Sequence, residues 1–317
     1  MKHDVLVTGG AGFIGSHLAC QLLHEGHSVT VLDNLDPFYD VRLKERNLKV
    51  IGEHGDFRLI RGDILNRKLL EGVIRDNNID IIYHNAAQAG VMFSVADPCK
   101  PNRTNVEGTL NILVTAKDNE VKKIINASSS SVYGKVEYLP FDEEHPRCPL
   151  SPYGVSKMAA EDYCRVFHNI FEVELVSLRY FTVYGPRMRP DLAISIFTHR
   201  ALRNEKIEIF GTGENSRDFT YIDDIVKANT MFMDRGRSGI YNIGFGSGTS
   251  INELSEKIIG LANSTSTTYH SSSQLGDVEH TLASADLLKK ELGWHPTTSI
   301  DEGLGKYVDY VRSNPDY

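Results

Sequence analysis

The chain is poor in the features that tie proteins to disulfides, metals, membranes or nucleic acids. Cysteine occurs four times in 317 residues, at positions 20, 99, 148 and 164, with no C-x-x-C spacing and no close pairing. That usage speaks against a disulfide framework and against a zinc site. The twelve histidines show no H-E-x-x-H or similar spacing, so no metal is expected. No run approaches the 18 or so apolar residues of a membrane span. Strand-like sequence begins at Asp4, and no signal peptide is expected. Basic residues number 34 against 42 acidic ones, and the charges are mixed along the chain with no basic block. Phosphate-backbone binding needs a concentrated basic face, so neither a nucleic-acid nor a membrane partner is expected. A reducing, cytoplasmic setting fits these shortages. The 41% of hydrophobic residues suffices for an ordinary globular core.

The richest sequence lies at the start. Val5 to Thr8 is an apolar run that ends in glycines at 9, 12 and 15 and passes straight into the amphipathic run His17 to His24. Strand, tight turn and helix in that order suit a dinucleotide. Glycine lets the backbone approach a pyrophosphate, and the helix N-terminus supplies free N–H groups and a positive dipole end. Gly9, Gly12 and Gly15, with Phe13 and Ile14 opening the helix, are the candidate contacts. A second strand-like run, Ser28 to Leu32, ends at Asp33, 18 residues after the last glycine. A carboxylate there binds ribose hydroxyls and repels a 2′-phosphate, which selects NAD over NADP.

Strand-like runs recur at Phe57 to Arg61, Ile79 to Asn85, Lys123 to Ser128 and Glu174 to Arg179. Helical stretches lie between, notably Arg103 to Asp118 and Pro152 to Phe171. This alternation predicts an α/β fold, a Rossmann-type doubly wound parallel sheet with its ligand crevice at the carboxyl ends of the strands. Beyond Arg179 the alternation breaks into a helix-like run, Ile194 to Asn204, a strand, Ile207 to Phe210, and then short helices and polar loops. The serine-rich stretch Ser264 to Ser273 reads as a surface connector. The expected division is a cofactor-binding domain over 1–180, joined by 219–245, and a smaller α/β substrate-binding domain over 181–218 and 246–317.

Tyr153 and Lys157 stand four apart near the start of a helix announced by Ser151-Pro152, so both side chains share a face. Tyrosine with its usual pKa of about 10 is a poor base at neutral pH. A lysine ammonium at ~4 Å, at an effective dielectric of about 20, contributes on the order of 4 kcal/mol toward the phenolate. The positive nicotinamide ring acts in the same sense. Tyr153 then becomes competent to take a proton from a substrate hydroxyl.

The glycine spacing and the block Tyr153-Gly154-Val155-Ser156-Lys157 resemble the extended short-chain dehydrogenase/reductase family over essentially the whole chain. Within it the sequence is most similar to nucleotide-sugar 4-epimerases, UDP-glucuronate 4-epimerases above all. The resemblance implies a catalytic serine in the run Ser128 to Ser131, three residues before Val132, which is Ser129; which serine points inward stays open. Asp63 and Ile64 would meet the adenine. Asn34, Ala86, Ala87, Gln88, Asn105 and Tyr180 join the implied NAD contacts, though the alanines serve helix–sheet packing equally well. Related dehydratases and decarboxylases carry carboxylates just before Val-Tyr-Gly, where this chain has Ser130-Ser131. An oxidised 4-keto sugar is then reduced from its other face, which is epimerisation.

For the sugar nucleotide, the resemblance places Ser129 and Ser130 on the sugar, Arg217 on the UDP diphosphate, Phe210 near uracil and Asp277 on the uridine ribose. Thr182 and Arg189 occupy positions that meet a C6 carboxylate, which favours UDP-glucuronate, converted to UDP-galacturonate. Met92-Phe93-Ser94 in place of Arg-Tyr-Ser, and the small Thr281, point instead toward UDP-N-acetylglucosamine, with UDP-glucose a further alternative. A dehydratase and a non-catalytic NAD-binding sensor are the remaining readings. Family members also pair the helices corresponding to Arg103–Asp118 and Pro152–Phe171 as a four-helix bundle. Apolar Val106, Leu110, Leu113, Val114, Met158, Val166, Phe167 and Ile170 therefore suggest a homodimer.

Overall fold

A computed structural model describes residues 1–273 and 278–314. The first half alternates strand and helix: β1 (Asp4–Thr8), α1 (Phe13–His24), β2 (Ser28–Asp33), α2 (Val41–His54), β3 (Arg58–Arg61), α3 (Arg67–Asp76), β4 (Ile81–His84), the short α4 (Val91–Ala96) and α5 (Cys99–Pro101), a π-helical turn (Asn102–Glu107), α6 (Gly108–Asp118), β5 (Lys123–Ser129), α7 (Pro152–Phe171) and β6 (Glu174–Tyr180). The remainder contains β7 (Thr182–Tyr184), α8 (Ala193–Leu202), β8 (Ile207–Phe210), β9 (Ser216–Tyr221), α9 (Ile222–Met231), β10 (Gly239–Ile243), β11 (Gly248–Ser250), α10 (Ile251–Ala262), β12 (Thr268–Ser271), α11 (Asp286–Leu292) and α12 (Ile300–Ser313). Side-chain caps start several helices where the sequence offers them. Asn66 accepts from Leu69 N, Ser151 from Gly154 N with Pro152 in the first turn, and Ser299 from Glu302 N.

The main sheet has seven strands in the order β10-β6-β5-β4-β1-β2-β3, every neighbouring pair parallel. Six strands were expected. The seventh, β10, is short and lies beyond a long excursion, so no local alternation marks it. Along β1, Val5 and Val7 enter one core layer and Leu6 the other, the two-residue period of a sheet buried on both faces. The strand order reverses between β1 and β4, where the connections leaving two neighbouring strands run to opposite sides of the sheet and open a crevice.

The later elements build the crevice's other wall. Strands β7, β9 and β11 form a three-stranded sheet, and β8 pairs in parallel with β12. The stretch expected as a surface connector therefore holds a strand; Thr268–Ser271 is largely exposed and polar, so it carries no apolar alternation. Buried Asp218 on β9 knits this region together, accepting from Phe245 N at 2.7 Å, Gly246 N at 2.9 Å and Ala283 N at 3.0 Å. Gln274 to Asp277, including the expected ribose contact Asp277, lie outside the described residues.

The helices expected to pair between subunits divide their apolar residues differently from the expectation. Leu113 and Phe167 belong to the core layer under the sheet. The apolar residues left exposed on α7 are Val155, Tyr163, Val166, Ile170 and Phe171.

Candidate active site

One cavity of about 1020 Å³ runs from the glycine turn across the carboxyl ends of the strands to the β8–β9 region. At its base the backbone demands glycine. Gly9 has φ +65°, and a Cβ there would stand 2.7 Å from Ala86 N; a Cβ on Gly15 would collide with the Gly9 carbonyl. Helix α1 begins at Gly12 with no side-chain cap, so its N-terminal turn faces the cavity without a built-in anion. This cradle fits a pyrophosphate.

Asp33 is buried at the end of β2, where its two oxygens accept from Ala11 N and Leu35 N. Each oxygen keeps a further lone pair for a ribose hydroxyl. Lys44, which sequence reasoning missed, brings its buried ammonium to 3.7 Å from Asp33. It lies on α2, eleven residues downstream, and no short motif joins the two. Asn34 and Asp63 hold each other through a 2.9 Å hydrogen bond beside Ile64. Ala86, Ala87 and Gln88 continue the wall after β4. Asn105 is not among the cavity-lining residues. Its amide accepts from Gln88 N at 2.7 Å and donates to Gln88 O and to Ser156 Oγ, so it stands one layer back and fixes the wall. Tyr180 lines the cavity with its ring, while its hydroxyl turns away to Asn229 Oδ1.

The chemistry converges on α7 and the tail of β5. Ser128 turns its hydroxyl away to Glu161. Ser129 faces the cavity, caps the single 3-10 turn that follows and interacts with the Tyr153 phenol. Of the four serines, Ser129 is the one whose hydroxyl meets the Tyr153 phenol. Burial raises the Tyr153 phenol above its usual value, with Ser129 and then Arg189 drawing it down. The Lys157 Nζ donates to Ala127 O at 2.7 Å. Burial lowers Lys157 to about 8, against the opposing pull of Cys164 and Glu161.

Across the cavity stand Thr182, Arg189, Phe210 and Arg217. Arg189 forks onto Asp191, at 2.9 and 3.0 Å, and lies 5.4 Å over the Phe38 ring. Arg217 donates to the carbonyls of Ser216 and Glu279. Ser130 and Thr281 also line the wall, and Thr281 Oγ1 accepts from Asp218 N. Of the expected site residues that are described, all but Asn105 border this one cavity.

Fold, glycine cradle and the Ser129–Tyr153–Lys157 cluster define an extended short-chain dehydrogenase/reductase. The sequence profile of the GDP-mannose 4,6 dehydratase family matches residues 6–307. A UDP-glucuronate 4-epimerase from Thermodesulfobacterium geofontis is 38% identical over 311 residues, 98% of this chain and 96% of that protein. The structure of a UDP-glucuronic acid 4-epimerase from Bacillus cereus, in complex with UDP-glucuronic acid and NAD, superposes with a TM-score of 0.92 at 35% identity, covering 99% of this chain and 100% of the other. A UDP-N-acetylglucosamine 4-epimerase from Methanobrevibacter ruminantium M1, in complex with UDP-N-acetylmuramic acid, gives 0.90 at 34%, with coverage of 99% and 100%. The chain belongs to this family, and within it to the NAD-dependent UDP-sugar 4-epimerases, which are isomerases.

Proposed function

We propose that this epimerase acts on UDP-glucuronate and gives UDP-galacturonate. The observation that carries the reading is Arg189, which lines the same cavity as Thr182 and whose charge draws the Tyr153 phenol down. A C6 carboxylate leaving water needs such a partner, because an unpaired buried charge costs several kcal/mol. Tyr153 takes the C4 hydroxyl proton and Ser129 orients that hydroxyl. Lys157 holds its charge beneath them and braces the end of β5 through Ala127 O. Bound NAD supplies hydride acceptance from C4 and its return to the opposite face. Ser130 and Ser131, where dehydratases carry carboxylates, leave the 4-keto sugar no elimination partner at that position. Arg217 takes the diphosphate, Phe210 the uracil, and Asp277 the uridine ribose.

A second reading, UDP-N-acetylglucosamine, is favoured by uncharged Met92 and small Thr281 on the same wall. Incubating the enzyme with UDP-glucuronate, UDP-glucose and UDP-N-acetylglucosamine and separating the C4 epimers decides between them. Turnover of UDP-N-acetylglucosamine with none of UDP-glucuronate overturns the proposal.

We also infer a homodimer in which the exposed apolar face of α7 packs on its copy. The chain divides, in the same reading, into a cofactor domain over 1–180 with 219–245 and a UDP-sugar domain from the rest. All four cysteines are free, which suits the cytoplasm. No helix among the described residues is long and apolar enough to cross a membrane.

A further inference from the structure

Tyr153 and Lys157 have a third companion on the same face of α7. Glu161 lies one helical repeat beyond Lys157, and its side chain is wholly buried. A carboxylate in that position requires partners. The Arg179 guanidinium on β6 forks onto it, Nε to Oε1 at 2.9 Å and Nη2 to Oε2 at 2.8 Å. The Ser128 hydroxyl donates to Oε1 at 2.5 Å. Arg147 brings Nη1 to 3.6 Å from Oε2.

These partners have a common geometry. Ser128 and Arg179 are directly opposed in the β5–β6 ladder, and the next opposed pair is Ser129 with Tyr180. Glu161 therefore closes a cross-strand pair from above. One turn earlier, Lys157 takes Ala127 O. Helix α7 thus grips β5 at residue 127 through Lys157 and at residue 128 through Glu161. Ser129 follows directly from that grip, on the cavity side, against Tyr153. Arg179 extends the network by donating to the Tyr133 hydroxyl at 2.9 Å, which donates in turn to Asn242 Oδ1 on β10. This mesh ties α7 to three strands of the sheet.

We propose that Glu161 is a positioning residue for the epimerisation, setting Ser129 against Tyr153 through Ser128. The proposal rests on the Ser129–Tyr153–Lys157 site and not on which sugar is used. The charged and titratable groups facing the cluster are Tyr153, Lys157 and Cys164 on α7, His84 on β4, Arg179 on β6, and Tyr133, Glu143 and Arg147 between β5 and α7.

The test is Glu161→Gln in the holoenzyme, assayed with whichever UDP-sugar the wild type turns over. Glutamine keeps the shape and an acceptor for Ser128 but removes the charge. The expected result is a fall in kcat of roughly tenfold or more, within the hundredfold that a 1 Å misplacement costs, with KM changed less than about threefold. Ser128→Ala cuts only the tie to β5, so kcat should fall in the same way with KM little changed. Glu161→Asp restores the charge and should return part of the lost kcat. A Glu161→Gln enzyme with kcat intact or lowered only in step with its folded fraction overturns the proposal. If that variant fails to fold because Arg179 is left uncompensated, the double variant Glu161→Gln, Arg179→Gln removes both charges. The same readouts then decide.

Discussion

Arg189→Ala reports directly on the sugar. The guanidinium side chain is 17% exposed, forked onto Asp191 and stacked over Phe38, so it is held in place before any substrate arrives. Truncating one partner of a buried charge pair costs about 2–5 kcal/mol. Here the arginine already has a carboxylate, and Asp191 is 43% exposed, so a C6 carboxylate gains by exchange rather than from nothing. That argues for the low end, about 2 kcal/mol. In the variant, Asp191 loses its own cation and faces the incoming carboxylate. Like-charge repulsion at ~4 Å in a water-like medium adds about 1 kcal/mol. The sum, about 3 kcal/mol, corresponds to a loss of roughly 150-fold in kcat/KM for UDP-glucuronate. UDP-glucose presents no charge at C6 and should lose little. The assay is kcat/KM for each sugar from chromatographic separation of the C4 epimers, in wild type and variant. An equal loss on both sugars would put Arg189 on the diphosphate, and no loss on either would remove it from the substrate altogether.

Three further outcomes are expected. Tyr153→Phe should fold and bind NAD as the wild type does yet lose turnover; more than a few per cent of residual activity would show that the phenol is not the base. His84 is driven down to about 3, by burial and then by the charge of Lys157, while the unfolded chain protonates it near 6.5. The unfolded state binds the extra proton between those values, so this contribution to stability is complete above pH 6.5 and is lost as pH falls toward 3. His84→Gln should flatten the pH dependence of unfolding free energy between pH 4 and 6 by up to about 1.4 kcal/mol per unit, and equal slopes would refute the assignment. Light scattering at micromolar concentration should give a dimer mass, and Ile170→Asp, at the most exposed apolar residue of α7, a monomer; a monomeric wild type refutes the α7 interface.

The first half of the chain could be read because most of its strands are buried on both faces and three of its helices, α2, α3 and α7, carry side-chain caps. Ser28–Asp33, Ile207–Phe210 and Pro152–Phe171 fall where the apolar pattern and the Ser151-Pro152 signal put them. Most of the later strands could not be read. Thr182–Tyr184 is three residues long, Ser216–Tyr221 mixes Arg and Asp with aromatics, and β10 depends on β6, 63 residues earlier in register, for its existence. The site divides along the same line. The glycine turn, Asp33 and the Tyr–Lys spacing are local signals. Lys44 beside Asp33, Asn105 behind Gln88 and Glu161 against Arg179 depend on which elements pack together, and spacing carries no trace of that.

Parallel order has a consequence for how the chain is made. Strand β6 is complete at Tyr180, but its outer partner β10 begins only at Gly239, after the intervening residues 181–238. At about 5–20 residues per second, a ribosome needs roughly 3–12 s to deliver that partner. Throughout that interval a nascent chain carries a strand that is buried in the finished fold with one row of its N–H and C=O groups unpaired, the template on which other chains add. The wall of the sugar site is synthesised inside that window. Whatever shields β6 until β10 emerges, a chaperone or a transient cover by β7 and α8, governs how much active enzyme a cell recovers from each round of translation.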